Sequence, residues 1–181
     1  MNHSAKDLVT RLRAVIDTAI DGILTINASG IIETINPAGS EMFGYQSEEL
    51  VGQKVNVLMT KHDETHHDQY IKNYLDTRVP KIIGIGREVM GKKKSGEIFP
   101  CRLAVSEVIL NDRVIFTGIL HDLTAVHEAQ EEVKRLNKDL EKKVQERTNE
   151  LEEVVNKLLR TNQELGWREQ QLNETLNKER E

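Results

Sequence analysis

The sequence predicts an α+β chain, a five-stranded antiparallel sheet with short helices on one face, followed by a long parallel dimeric coiled coil. Three observations predict it. The β-rich runs come as two, then several short helical stretches, then three, an order that leaves no room for the crossovers parallel pairing requires. Composition is uneven: every proline, phenylalanine and tyrosine of the 181 residues lies between Pro37 and Phe116, whereas residues 126–181 carry no proline, one glycine (Gly166) and one aromatic residue (Trp167). Beyond Thr124 the apolar residues settle into steps of three and four, the signature of a paired helix.

In chain order, Leu8, Val9, Leu12, Val15, Ile16 and Ile20 are spaced for an amphipathic helix, so residues 1–20 are expected to form an N-terminal helical segment. Two runs, 22–27 and 31–36, flank Ala28-Ser29-Gly30 and read as a hairpin. Asn36 is placed to cap a helix that has Pro37 in its first turn and ends at Gly44. Ser47-Glu48-Glu49-Leu50 predicts a further helical turn closed by Gly52. Residues 63–75 suit a helix with Tyr70, Ile71 and Tyr74 on one side, and Pro80 ends it. A strand is expected over 81–90, then a solvated turn through 91–96. In 98–110 the alternation places Phe99, Cys101, Leu103 and Val105 on one face of a strand. Asn111-Asp112 turns the chain into a last strand over 114–120. The domain is therefore expected over 21–124 and the coil over 125–181.

The coil begins with Val126, Ala129, Val133, Leu136 and Leu140, and a four-residue step to Val144 shifts the phase, which locally unwinds a supercoil. Thereafter Val144, Leu151, Leu158, Leu165 and Leu172 recur at d, with Thr148, Val155, Asn162, Glu169 and Leu176 at a. Leucine at d with one Asn at a favours a parallel homodimer, because only the register that pairs Asn162 with its mate satisfies both amides. Arg147 at g would attract Glu152 at the following e of the partner. Fifty-six residues at about 1.5 Å each make a rod of roughly 80 Å. The heptads stop mid-pattern at Glu181, as expected of a piece of a longer protein.

Several function classes drop out. The net charge of -5 and the lack of a basic stripe argue against nucleic acid. No apolar run is long enough to span a membrane, and residues 1–13 lack a signal-peptide core. Cys101 is the lone cysteine, which excludes an internal disulfide and a cysteine-rich zinc site and fits a reducing, cytoplasmic setting. His62 and His66 stand four apart, but the order His-Asp-Glu-Thr-His is not that of a helical zinc protease and no distant third ligand is evident; a solvated helix start is expected. Nucleophile elbows, phosphate-binding glycine loops and spaced carboxylate pairs are missing, so no catalysis is expected within the chain.

Ile35-Asn36-Pro37-Ala38, Met42-Phe43-Gly44-Tyr45, Glu48-Glu49-Leu50-Val51-Gly52, Lys94-Ser95-Gly96-Glu97-Ile98-Phe99-Pro100 and the exit from Phe116 to Thr124 together resemble a PAS sensory domain over residues 8–124. The resemblance implies that Asp122 and Thr124, as the terminal Asp-x-Thr element, relay signals from the last strand to an outgoing helix, and that the following coil leads to the dimerisation domain of a sensor histidine kinase. Met59, His67-Asp68-Gln69-Tyr70 and Ile82-Ile83-Gly84-Ile85-Gly86-Arg87 further resemble the haem-binding PAS domains of FixL-type oxygen sensors. That likeness implies haem b, with His67 as the axial iron ligand, Arg87 as the residue answering to ligand state, and Ile82, Leu103, Val105 and Cys101 around the distal side. The chain departs from that pattern at Asn73, where the FixL type has a propionate-binding arginine. From the residues alone His67 reads equally as a histidine at a pocket edge, Arg87 as a strand residue paired with an internal carboxylate such as Glu107, and Cys101 as an inward strand residue. A haem-free PAS domain that dimerises and relays, or binds another small ligand, is the alternative. A flavin-thiol photosensor is excluded, since no cysteine precedes an Asn-Arg motif on a helix.

Overall fold

A computed structural model describes residues 2–79 and 86–178, with side chains from 4 to 172 within those ranges. The chain divides into two compact units, residues 1–128 and 129–181. In the first, helix α1 (Asn2–Asp17) precedes strands β1 (Gly22–Asn27) and β2 (Ile32–Ile35), helices α2 (Pro37–Phe43) and α3 (Ser47–Leu50), a 3-10 turn (Val55–Leu58), helix α4 (Lys61–Thr77) and strands β3 (Arg87–Lys92), β4 (Ile98–Leu110) and β5 (Arg113–Asp122). Helix α5 (Thr124–Lys178) starts in this unit and makes up the second. The sheet order is β2-β1-β5-β4-β3 and every pairing is antiparallel.

One face of the sheet holds the core. Leu24 and Ile26 of β1, Phe99 and Cys101 of β4, and Phe116 and Leu120 of β5 are buried with Phe43, Leu50, Val55 and Leu58 from the helical side. Pleating explains the choice, because alternate residues of a strand share a face. Phe43 meets Phe99 edge to face with ring centroids 5.4 Å apart. A Cβ built on Gly91 would lie 2.7 Å from the Phe99 ring, so that position on β3 accepts only glycine.

Asn36 explains both the start of α2 and the end of α1. Its Oδ1 accepts from the Gly39 amide (2.9 Å), capping α2, and from the Ile23 amide (2.8 Å). Its Nδ2 donates to the carbonyls of Ile16 (3.1 Å) and Asp21 (2.9 Å). The Ile16 carbonyl is thus held by the core, and α1 stops at Asp17, short of the helix to residue 20 that spacing alone suggests; Ile20 is 91% exposed. Asn36 is itself buried, so Asn36→Ala strands two donors and two acceptors. A loss of about 2–4 kcal/mol is expected, from the cap and the unpaired groups together, checked by urea unfolding of the whole chain.

Gly44 adopts φ 72° as it closes α2, as its position in the sequence implies. Strand β3 begins at Arg87 and runs to Lys92; residues 80–85, where the expected strand begins, lie outside the described residues. On α4 the packed residues are Ile71, Tyr74 and Leu75. Tyr70, expected beside them, is instead 39% exposed and stacks on His66.

Helix α5 carries the heptads expected of it. Val144, Leu151, Val155, Leu158, Leu165 and Leu172 are each more than half exposed in the single chain. A stripe of apolar side chains in water along one face of a helix is a surface awaiting a partner. Arg147 pairs within the helix with Glu150 (2.6 Å) in the lone chain, a surface contact worth at most about 1 kcal/mol.

Candidate sensory site

The site is built on α4, and α4 is fastened at its middle and at its C-terminal end. At its middle Asp68 accepts from Lys54 Nζ (2.8 Å), which also donates to the Ser29 carbonyl (2.8 Å) in the β1–β2 turn. At its end Arg78, left-handed at φ 56°, and Tyr74 both bond the Glu107 carboxylate on β4. The Tyr74 hydroxyl and the Arg78 guanidinium hold that carboxylate below its usual range, and Glu107 in turn pushes Tyr74 up. Glu107 is therefore engaged by α4, and the sequence-based pairing of Arg87 with Glu107 is not formed.

The helix turns His67, Ile71 and Tyr74 toward the sheet, at the i, i+4, i+7 spacing of one face. His67 is half-buried, and its Nδ1 is buried with no hydrogen-bond partner among the described residues. Loss of hydration is the largest cause of its lowered pKa; Lys54 and Arg87 push it the same way, while Asp68 and Asp63 oppose them. The imidazole is thereby held toward its neutral form, the form that binds a metal.

The sheet face opposite is set by register. Arg87 pairs with Leu103, and Leu103 with Leu120; Val105 pairs with Gly118; Val89 pairs with Cys101, and Cys101 with Asp122. Side chains directly opposite one another in antiparallel strands point to the same face, so Arg87 joins Leu103, Val105 and Cys101 on the core side, at the edge strand. Leu103 and Val105 are partly buried against the core and Cys101 is fully buried. Burial pushes the Cys101 thiol up to about 11, with the Asp122 carboxylate adding to the effect, which makes it a packing residue and not a nucleophile. Arg87 is exposed, and its side chain makes no hydrogen bond or ion pair among the described residues. Of the sequence-based site residues, the fold brings His67, Arg87, Leu103, Val105 and Cys101 to one side of the sheet, and Ile82 lies outside the described residues. Asn73 is exposed and accepts from Gln69 (2.6 Å).

A groove of about 300 Å³ lies on another side of α4, between the β1–β2 turn and Ile71, Leu75, Lys72 and Asp76. Neither His67 nor Arg87 lines it. His66 bonds the His62 carbonyl (2.8 Å) and both rings are exposed.

At the sheet's exit, Asp122 accepts from the Thr124 amide (2.7 Å), the first residue of α5, and the Leu123 amide donates to the Pro100 carbonyl (3.0 Å) on β4. The side-chain bond supplies one of the acceptors that the free amides of a helix start need. Helix α5 is thereby joined to both strands, β4 and β5, that carry the core-facing residues.

Against known proteins, the model of the PAS fold matches residues 10–123. This chain belongs to the PAS family. Its PAS domain resembles the sensor protein FixL of Bradyrhizobium diazoefficiens, 38% identical over 131 residues, 72% of this chain and 26% of that protein. It also resembles the cell-division control histidine kinase PdhS of Brucella anthropi, 26% identical over 152 residues, 84% of this chain and 14% of that protein. The chain thus spans about a quarter or less of the length of these relatives. Among solved structures, the PAS domain of an HTR-like protein from Haloarcula marismortui shares the fold with a TM-score of 0.56 at 17% identity, over 66% of this chain and 94% of that one. A PAS domain from Colwellia psychrerythraea does so with a TM-score of 0.56 at 22% identity, over 66% and 99%. The PAS chain is thereby related to sensor kinases, and among its described residues no helix is long and apolar enough to cross a membrane.

The buried imidazole also shapes the pH response of the PAS unit. His67 has a folded pKa below its unfolded value, so its contribution is complete above the unfolded pKa, near 6.5. It is lost as pH falls from there toward the folded value, because the unfolded chain takes the proton first. Urea midpoints of the cofactor-free chain are expected to fall between about pH 7 and pH 5, and His67→Phe to flatten that segment of the profile.

Proposed function

We propose that this PAS chain is the sensory and dimerisation module of a bacterial sensor histidine kinase, cytoplasmic, with the kinase domains elsewhere in the full-length protein. The space between α4 and the sheet is proposed as a pocket that holds haem b and senses oxygen or another diatomic. The single observation that supports this most is the His67 imidazole: neutral, held on a doubly anchored helix, with a buried nitrogen that no described residue satisfies. The donor set fits. His67 would hold the iron, Leu103, Val105 and Cys101 would form an apolar wall, and Arg87 would place a guanidinium at the edge strand. When bound, the group would supply reversible binding of a diatomic at iron.

The chain's own residues do the rest. Lys54–Asp68 and Tyr74–Glu107–Arg78 fix α4 and so the direction of His67. The apolar wall excludes water, and Arg87, uncommitted among the described residues, is able to move with occupancy of the pocket. Displacement of β4 and β5 would reach α5 through Asp122 and Thr124, and the two α5 helices of a parallel homodimer would carry it onward. The phase shift between Leu140 and Val144 is where two packings of the paired helices lie close in energy.

Asn73 supports the second reading, a haem-free PAS domain that dimerises and relays or takes another small ligand, since lysine near the site would not copy an arginine fork. An absorption spectrum separates them. Protein produced with haem supply is expected to show a Soret band that is lost in His67→Ala while the fold is retained. No band after reconstitution rejects haem and leaves the second reading.

A further inference from the structure

Glu88 is the neighbour of Arg87 on β3, and pleating sends it to the opposite face of the sheet. There it is the directly paired residue of Arg102 on β4, with Cβ atoms about 5 Å apart by the geometry of such pairs. Its carboxylate also lies 3.8 Å from Nε2 of His127, in the first turns of α5. Arg102 has His121 of β5 as its other paired residue, and His121 is engaged elsewhere, with Nδ1 2.7 Å from Asp21 Oδ1. Among the described residues the Arg102 side chain makes no hydrogen bond or ion pair. One carboxylate thus stands between two cation-forming side chains, one fixed to the sheet and one carried by the output helix.

We propose that Glu88 is the positioning residue that holds the start of α5 on the edge strand, and that it does so by exchanging partners between His127 and Arg102. With Glu88 on His127 the first turns of α5 are clamped to β3. With Glu88 on Arg102 the carboxylate is still satisfied and the helix is free to shift, so neither arrangement strands a charge and the two stay close in energy, as a switch requires. Because Arg87 and Glu88 are consecutive, a displacement of β3 at the pocket is delivered to α5 across the sheet, separately from the Asp122–Thr124 bond. The inference rests on α5 being the output element and is independent of what fills the pocket.

Partner exchange makes opposite predictions for the two neighbours of one residue. The probe is amide hydrogen exchange at His127 and Glu128 in the full chain, about one unit below the ordinary imidazole pKa. Glu88→Gln and His127→Gln are each expected to speed exchange about two- to fivefold, the range of a surface ion pair, and the double variant no further. Arg102→Gln is expected to slow it by a similar factor, and only while Glu88 is present. Faster or unchanged exchange in Arg102→Gln, or slowing that persists in the Glu88→Gln background, overturns the proposal. Phe116 and Leu120 amides report global unfolding in the same spectra, so a damaged fold is read apart from a loosened helix. Failure of the output reading itself would show differently: the amide pattern would follow the expectations while cross-linking along the coil ignored them.

Discussion

Leu158→Asp is expected to abolish the proposed homodimer and leave the chain a monomer. Leu158 sits in the middle of the d-position ladder and is 59% exposed in the single chain, area that the proposed second helix would cover. In the parallel coil two aspartates would face each other across a core that offers no hydrogen bond, so each must lose hydration or force the helices apart. A cost of at least ~4 kcal/mol of association, about a thousandfold in the dissociation constant, follows. Sedimentation velocity checks it, with near-ultraviolet dichroism as the control for the PAS unit, whose phenylalanines and tyrosines all lie before residue 117. A dimer that survives the aspartate would place the association surface somewhere other than α5.

The second large effect is expected in the core. Phe99→Ala removes a ring that is 1% exposed, sits edge to face with Phe43 and presses on the bare backbone of Gly91. Neighbours fixed by the sheet register cannot collapse into the space, so transfer and cavity costs add to about 3–5 kcal/mol. That is a large part of the stability of a domain of this size, and the melting temperature is expected to fall by ~10 °C or more, read by calorimetry. Lys93, whose Nζ lies 5.3 Å from the ring centroid, would lose its aromatic face as well. A change under about 1 kcal/mol would mean that the packed face is not the one described.

Patterns with short periods were legible before the fold was known. Alternation alone aligned Phe99, Cys101, Leu103 and Val105, since a strand repeats every two residues and β4 has no bulge. Pro37, Gly44 and Asn36 declared α2 because their chemistry acts within one turn. What could not be read came from contacts across the fold. The end of α1 depends on a bond from Asn36 to a carbonyl twenty residues earlier. The claim of α4 on Glu107 spans about thirty residues and two elements, so parity showed Glu107 pointing inward without showing its partner. Tyr70 was misplaced because a helix turns 100° per residue and a three-residue apolar group covers more than one face. His67 is singled out only by resemblance to FixL-type domains; its buried nitrogen, without a partner among the described residues, is a property of the packed molecule that no local pattern encodes.

The central claim is that two copies run side by side, in register and in the same direction, so that what reaches Thr124 in both is carried along one axis. Nitroxide pairs placed in turn at Lys143, Lys157 and Gln171 test it most directly, because these sites share one heptad position and follow one another by about 21 Å along the helix. Cys101, fully buried with its thiol raised to about 11, leaves the added cysteine as the reactive one. Three similar short distances are the result the account predicts. Distances that change by about 40 Å from one site to the next, or no dipolar coupling at any of them, would contradict it.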